Sequence, residues 1–325
     1  MRALIDGDLL AYECSACGQA KDPETGEMYI KPFDSVSDMM DQRVKEIVAE
    51  SFSDGEPTLY MTGDEKLLNH VNKARLRRGE EVKVYKPNFR KDVAVTREYK
   101  GNRKAEKPFH FDNVRAYMLS QFNCIVTDGM EADDKICIDQ YADYVINKNN
   151  PQVVSCSRDK DLRINPGLHF RWACGKQPAD GPTTVTELGH LSLSQGSPKK
   201  LRGDGLKFFY SQLITGDSTD NIPGLPKRGP VFAYNLLNEC GTEAECFEAV
   251  KQSYEEVFGE AWKEHLREMT DLLWMVREVD EDGSLKFYEW PPFEENINWQ
   301  DREVKIPDVV ENGLKQSTEA SSKTN

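Results

Sequence analysis

The sequence predicts an α/β fold: a mainly parallel central sheet flanked by helices, with a helical subdomain after it. Three observations predict it. Short apolar runs recur along the chain, and each stops at small residues and an acid. Stretches with apolar positions at helical spacing lie between those runs. The acids then share one location, because parallel strands bring their C-terminal ends to a common rim.

Ala3-Leu4-Ile5 is the first such run and ends at Asp6-Gly7-Asp8. Asp6, directly after the strand, is the better ligand; Asp8 supports it or opens the next helix. Residues 36–52 carry Met39, Met40, Val44, Ile47 and Val48 on one face and read as a packing helix. Residues 57–61 form a second strand, ending at Thr62-Gly63-Asp64. A basic segment follows. From Lys66 to Lys107 there are fourteen Lys and Arg against five acids, a net of +9, in a chain whose total is −14. Tyr85, Phe89 and Tyr99 are interleaved. Basic side chains neutralise phosphates and aromatic faces stack bases, so the segment reads as a nucleic-acid contact. An ordinary solvated charge run is the competing reading. Gly79, Pro87 and Gly101 break the segment up.

Residues 111–122 form a helix, Cys124-Ile125-Val126 a strand, and Glu131-Ala132-Asp133-Asp134 opens another helix. Helix capping explains one or two of those three carboxylates. A hard divalent cation explains all three. Val153–Cys156 is a strand that leads to Asp159 and Asp161. Residues 174–205 are rich in Gly, Pro, Ser and Thr and read as a hairpin plus a long loop, a seam between domains. Leu206 to Ile214 is helical, followed by Asp217 and Asp220. A tight hairpin, Gly224 to Gly229 with Lys227 and Arg228, precedes a helix at 231–237 and can present N–H groups to a phosphate. Two or three helices fill 242–279. The tail beyond Pro307 is polar and expected to be disordered. The domains are therefore 1–205, with the basic segment 66–107 inside it, 206–307, and the tail 308–325.

Hydrophobic content of 38% with 30% charged residues is that of a globular chain. No run approaches a membrane span, and the apolar stretch at the N-terminus is too short for a secretory signal. The eight cysteines are scattered. Cys14 and Cys17 lack a second pair for zinc, so reduced thiols and a cytoplasmic setting are expected.

Nine acids thus end strands or start helices: Asp6, Asp64, Glu131, Asp133, Asp134, Asp159, Asp161, Asp217 and Asp220. Gathered on one rim they repel, and cations would offset that repulsion. Two divalent ions about 4 Å apart would activate a water and stabilise the leaving oxygen of a phosphodiester.

At this point the chain resembles the flap endonuclease/5′-exonuclease superfamily, and within it the 5′–3′ exonucleases of T-odd phages. The matching stretches run in order: Ile5-Asp6-Gly7, Asp64, Tyr99-Lys100-Gly101-Asn102-Arg103, Glu131 to Asp134, Asp159-Lys160-Asp161, and Gly216-Asp217 with Asp220 to Gly224. The resemblance implies a PIN-like nuclease domain with a helical arch and a helix–three-turn–helix module. It implies Mg²⁺ or Mn²⁺ in two sites. Asp6, Asp64, Glu131, Asp133 and Asp159 fall in the catalytic group, and Asp134, Asp161, Asp217 and Asp220 in a second. Lys100 and Arg103 would act on the scissile phosphate. Arg97, Tyr99, Lys104, Gly224, Lys227, Arg228 and Gly229 would contact DNA, with Tyr99 stacking and a K⁺ ion at the hairpin. Here Pro226 and Pro230 remove N–H donors from that hairpin.

The expected activity is metal-dependent hydrolysis near the 5′ end or 5′ flap of duplex DNA, extending to RNA in RNA–DNA hybrids. The expected partners are DNA and replication proteins, with the chain a monomer in the cytoplasm of a phage host. A PIN-type endoribonuclease is one rival, but it would lack the basic segment and the Asp217–Gly224 module. A catalytically silent structure-specific DNA-binding protein is the other, and it would have lost acids that are all present here.

Overall fold

Leu4 faces one side of the sheet, Ala3 and Ile5 the other, and all three are fully buried. The same alternation repeats in the neighbouring strands. Tyr60, Ile125 and Val153 share the face of Leu4, while Leu59, Met61, Cys124, Val126, Val154 and Cys156 share that of Ile5. Strands buried on both faces need no polar residues, which is why they read as unbroken apolar runs. A computed structural model describes residues 1–291 and the backbone of 310–312.

The chain begins with β1 (Arg2–Asp6), α1 (Gly7–Cys17), the ribbon β2 (Gln19–Lys21) and β3 (Met28–Ile30), and α2 (Phe33–Glu50). Next come β4 (Thr58–Thr62), α3 (Glu65–Arg77), the short α4 (Arg90–Val93), α5 (Phe111–Gln121), β5 (Asn123–Thr127), α6 (Ala132–Asn147) and β6 (Val153–Cys156). The hairpin of β7 (Gly167–Arg171) and β8 (Asp180–Val185) follows, then the ribbon β9 (Leu191–Leu193) and β10 (Leu201–Gly203) and helix α7 (Gly205–Thr215). A two-residue ribbon, β11 (Gly216–Asp217) and β12 (Ile222–Pro223), leads to α8 (Pro230–Leu237), α9 (Glu243–Phe258), α10 (Trp262–Leu273) and β13 (Val310–Asn312).

The sheet order is β13-β5-β4-β1-β6-β7-β8. The five central strands are parallel, and the two edge strands run antiparallel to them. From β1 the chain steps outward through β4 to β5, then returns to the other side of β1 for β6. That reversal puts a crevice at the carboxyl ends of β1 and β6, where α/β sheets place their ligand sites. One layer of helices (α1, α2, α3, α5) covers the Ile5 face through Leu10, Met40, Ile47, Val71 and Met118. The Leu4 face is covered by α6, and its apolar layer continues without a break into α7 to α10 through Phe209, Leu213, Phe247 and Leu266.

Several expectations need correction. The helical arch is helical only in α3 and the single turn of α4; residues 78–89 and 94–110 are turns and extended chain. Gly79, Pro87, Gly101 and Pro108 interrupt the segment, and Val82, Val84 and Val95 are stiff at χ1 and favour extended backbone. The hairpin expected after Cys174 begins earlier, at β7, whose Gly167 and polar neighbours hid it. Of the tail expected to be disordered, residues 310–312 form a strand beside β5, with Val310 opposite Val126; the rest of it lies outside the described residues. No helix among the described residues is long and apolar enough to cross a membrane.

Candidate active site

Asp6 ends β1 and caps α1, its Oδ1 accepting from the Leu9 amide at 2.9 Å. Its other oxygen accepts from the Ser157 hydroxyl at 2.7 Å, just past the end of β6. The residue is 4% exposed. Burial pushes its carboxyl up to about 7, against the two hydrogen bonds; the charges of Asp8 and Asp159 push the same way. Asp133, in the first turn of α6, is also held well above the carboxylate range, by burial first and then by Asp6, Asp159 and Glu131. Asp159 follows Ser157, whose hydroxyl accepts from its amide at 3.0 Å. The structure therefore brings Asp6, Asp133 and Asp159 together from three separate elements, and the charge of Asp159 opposes ionisation of Asp6 and Asp133.

Asp64 leaves β4 and caps α3 through the Leu67 amide at 2.9 Å. Two features turn it aside from that trio. Gly63 holds the β4 end hard against β5: its amide donates to the Thr127 carbonyl at 2.9 Å, and a Cβ there would lie 2.2 Å from that oxygen. Arg115 of α5, 3% exposed, then pairs with Asp64 at 2.5 Å and with Asp8 at 3.5 Å, and donates to the Thr62 carbonyl. Burial raises the Asp64 carboxyl, but the Leu67 amide and Arg115 outweigh it and hold it below the usual range. Asp8 also accepts from the Thr62 amide at 2.7 Å. Sequence reading passed over Arg115, although it left a signal. It lies among Phe111, Val114, Met118 and Leu119, on the buried stripe of its helix.

Glu131 meets the basic segment. Lys100 pairs with it and lies 3.7 Å from Asp220, while Arg103 pairs with Asp220 at 2.5 Å. Burial raises the Glu131 carboxyl, but Lys100 and Arg90 outweigh it and hold it low. Tyr99, expected as a stacking platform, is 7% exposed instead. Its hydroxyl donates to Glu131 at 3.2 Å and Asp220 at 3.0 Å, and its ring lies 4.9 Å from the Lys100 ammonium. Backbone and amide contacts lock the two loops: the Lys100 amide donates to the Asp220 carbonyl at 2.9 Å, and the Asn102 side chain donates to the Ser218 carbonyl at 2.7 Å. Lys100 and Asn221 adopt φ of 58° and 62° to do so.

A second group forms around Asp161 and Asp217. Lys160 bridges them at 3.1 Å and 2.6 Å, and Gln212 of α7 donates to Asp161 at 2.6 Å. Burial pushes Asp161 up to about 7, with Asp159 and Asp217 adding to it. The β11–β12 ribbon positions Asp217. It needs glycine at Gly216, whose φ is 67° and whose Cβ would lie 2.3 Å from the Gly224 amide. Gly224, expected at a DNA contact, is packed against the Thr215 backbone for the same reason.

Asp134 stands apart from both groups. It is fully buried and makes a two-pronged ion pair with Arg90, at 2.7 and 2.8 Å. One oxygen accepts from the Glu131 amide as the reciprocal half of a capping box, and the other from the Val276 amide. The expectation of a metal ligand there is corrected: the position on the first turn of α6 points it inward, away from the rim.

Of the other expected DNA contacts, Arg97, Lys104 and Lys227 are exposed. Gly229 is exposed before α8, with open space where a Cβ would stand. Arg228 is turned inward, pairing with Glu256 and donating to Ser253 at 3.2 Å.

No group of three or more His, Cys, Asp or Glu side chains among the described residues surrounds a single point closely enough to hold a metal ion. Ammonium groups sit on Glu131, Asp161 and Asp217 instead. The donor chemistry nonetheless fits a hard divalent ion: oxygen only, with Asp6 opposing the ionisation of Asp133, and Asp159 and Asp217 opposing that of Asp161. Fold and rim together define an α/β protein with carboxylates gathered at the switch point of a parallel sheet.

No family model matches the chain. It aligns with part of DNA polymerase I from Rhizobium leguminosarum, 33% identical over 159 residues, 47% of this chain and 14% of that one. It aligns with DNA polymerase I from Bacillus subtilis at 29% over 197 residues, 56% of this chain and 20% of that one. The chain thus spans a fifth or less of these relatives. A bacteriophage T5 flap endonuclease in complex with DNA and metal ions is 13% identical, TM-score 0.40, over 84% of this chain and 98% of that one. A T5 5′-exonuclease with bound zinc is 15% identical, TM-score 0.40, over 84% and 100%. The sequence matches liken part of this chain to a part of DNA polymerase I.

Proposed function

We propose that the protein is a divalent-metal-dependent 5′-nuclease that hydrolyses phosphodiester bonds near the 5′ end of duplex DNA. One observation carries the reading: Asp6, Asp133 and Asp159 come within electrostatic reach of one another beside the Lys100–Arg103 turn, with Asp6 buried and Asp159 open to solvent. Asp6, Asp133, Asp159 and Glu131 would hold one cation, with Asp64, fixed by Arg115, as an outer carboxylate of the same site, and Asp161 with Asp217 would share a second. Such ions supply Lewis-acid stabilisation of the phosphate and a more acidic water. The chain's own residues do the rest. Lys100 and Arg103 hold positive charge beside the acids, where a phosphate oxygen can take the place of Glu131 or Asp220 as their partner. Ser157 and the Leu9 amide fix the orientation of Asp6. Arg97, Lys104 and Lys227, which are exposed, would contact backbone phosphates.

The test is cleavage of a 5′-labelled flap duplex, with and without EDTA, and of the same duplex carrying an RNA 5′ strand. Asp133→Asn and Asp159→Asn are expected to lose at least about a thousandfold in rate while still binding DNA. Wild-type cleavage by both variants in Mg²⁺ would refute the site.

A further inference from the structure

A cleft of about 670 Å³ opens on the outer side of Asp64, between the start of α3 and the loop that precedes α5. It is of the size that takes a small ligand. Its walls combine aromatic rings with carboxylates: Tyr85, Phe109 and Phe111, with Asp64, Glu65, Glu106 and Asp112. Phe109 is 65% exposed, yet it is not on a loose loop. Its amide donates to the Gln19 side chain at 2.8 Å, and its ring packs edge-on against His110 at 5.0 Å. A phenyl ring fixed in water forgoes the burial that normally stabilises it. Held in place, the ring presents a face against which another flat ring can stack.

The charges in the cleft decide what stacks there. Lys66 pairs with Asp112 at 2.6 Å, and Lys107 sits 4.3 Å from the Phe111 ring. Asp64 is held by Arg115. Glu65 and Glu106 are exposed and line the opening. With Asp64 and Asp112 already paired, Glu65 and Glu106 are the carboxylates left to accept hydrogen bonds from amino groups. A flat ring with apolar faces and an amino edge meets both demands. A nucleobase is such a ring, and Asp64 connects the cleft to the acid rim.

We propose that this cleft receives the first unpaired base of the 5′ strand, stacked on Phe109 with its amino edge toward Glu65 and Glu106. The proposal rests on the 5′-nuclease reading and specifies where the displaced strand goes. Adenine, cytosine and guanine carry the exocyclic amine; thymine and uracil do not and are expected to bind more weakly.

The test uses the full chain in EDTA with flap duplexes carrying 2-aminopurine at the first unpaired position. Wild type is expected to quench the fluorescence on binding, Phe109→Ala to lose that quench, and Phe109→Trp to restore it. Val84→Ala, at an exposed position outside the cleft, is the control and quenches like wild type. With Mg²⁺, Phe109→Ala is expected to raise KM for the flap about tenfold, the range of one base–aromatic stack. Equal quenching by wild type and Phe109→Ala, or equal KM for adenine and thymine at that position, overturns the proposal. Absence of EDTA-sensitive cleavage by wild type would instead remove the nuclease reading, while the fluorescence arm still decides whether the cleft takes a base.

Discussion

Replacing Asp134 by Asn distinguishes the structural role found here from the metal-ligand role expected from sequence. The side chain keeps its shape and loses its charge. Arg90, 1% exposed, would then be a buried cation without its hydrogen-bonded counter-ion. It also donates to the Leu272 carbonyl at 2.9 Å and the Trp274 carbonyl at 2.6 Å, so it cannot swing out to water without orphaning both. Removing one partner of such a pair costs about 3–5 kcal/mol. At roughly 2–4 °C per kcal/mol, the melting temperature should fall by roughly 6–20 °C. The assay is urea and thermal unfolding followed by circular dichroism, beside flap cleavage at a temperature where the variant is folded. Removing both charges, with Arg90→Met and Asp134→Leu, should recover only part of the loss, since two buried carbonyls stay unpaired at about 1–3 kcal/mol each. The reasoning fails if Asp134→Asn is within about 1 kcal/mol of wild type but has lost its response to Mg²⁺.

Two further expectations concern the rim. Asp6 and Asp161 titrate near 7 in the folded chain, against about 4 when unfolded. Between those values the folded state holds the extra protons, so in EDTA their contribution to stability falls as pH rises from about 4 to about 7 and levels off above. Added Mg²⁺ should therefore raise the melting temperature more at pH 8 than at pH 5, and an equal rise at both would contradict it. Arg115→Met should weaken the Mg²⁺ dependence of cleavage about 10- to 100-fold, the usual effect of losing a residue that orients ligands. Arg115→Lys should recover part of it, and a Mg²⁺ titration unchanged in both variants would show that Arg115 does not orient Asp8 and Asp64.

The sequence by itself determined the central strands β1, β4, β5 and β6 and the starts of α1 and α6. Burial on both faces makes a parallel strand uniformly apolar, and a strand must end where the first polar residue reaches the rim. Ala3-Leu4-Ile5 followed by Asp6 carries that information within four residues. Glu131 and Asp133 were legible as the start of α6, from the acids that open it. Only the tertiary structure decided how the acids divide. Asp133 and Asp134 are adjacent, but a helix advances 100° per residue, so one faces the crevice and the other faces Arg90, which is 44 residues earlier in the chain. Local pattern cannot reveal a partner at that distance. Tyr99 was likewise read as a surface ring because its neighbours are basic, whereas contact with Asp220, 121 residues away, buries it. Charge balance at this rim is set by long-range pairs, and these exist only once the sheet has brought its ends together.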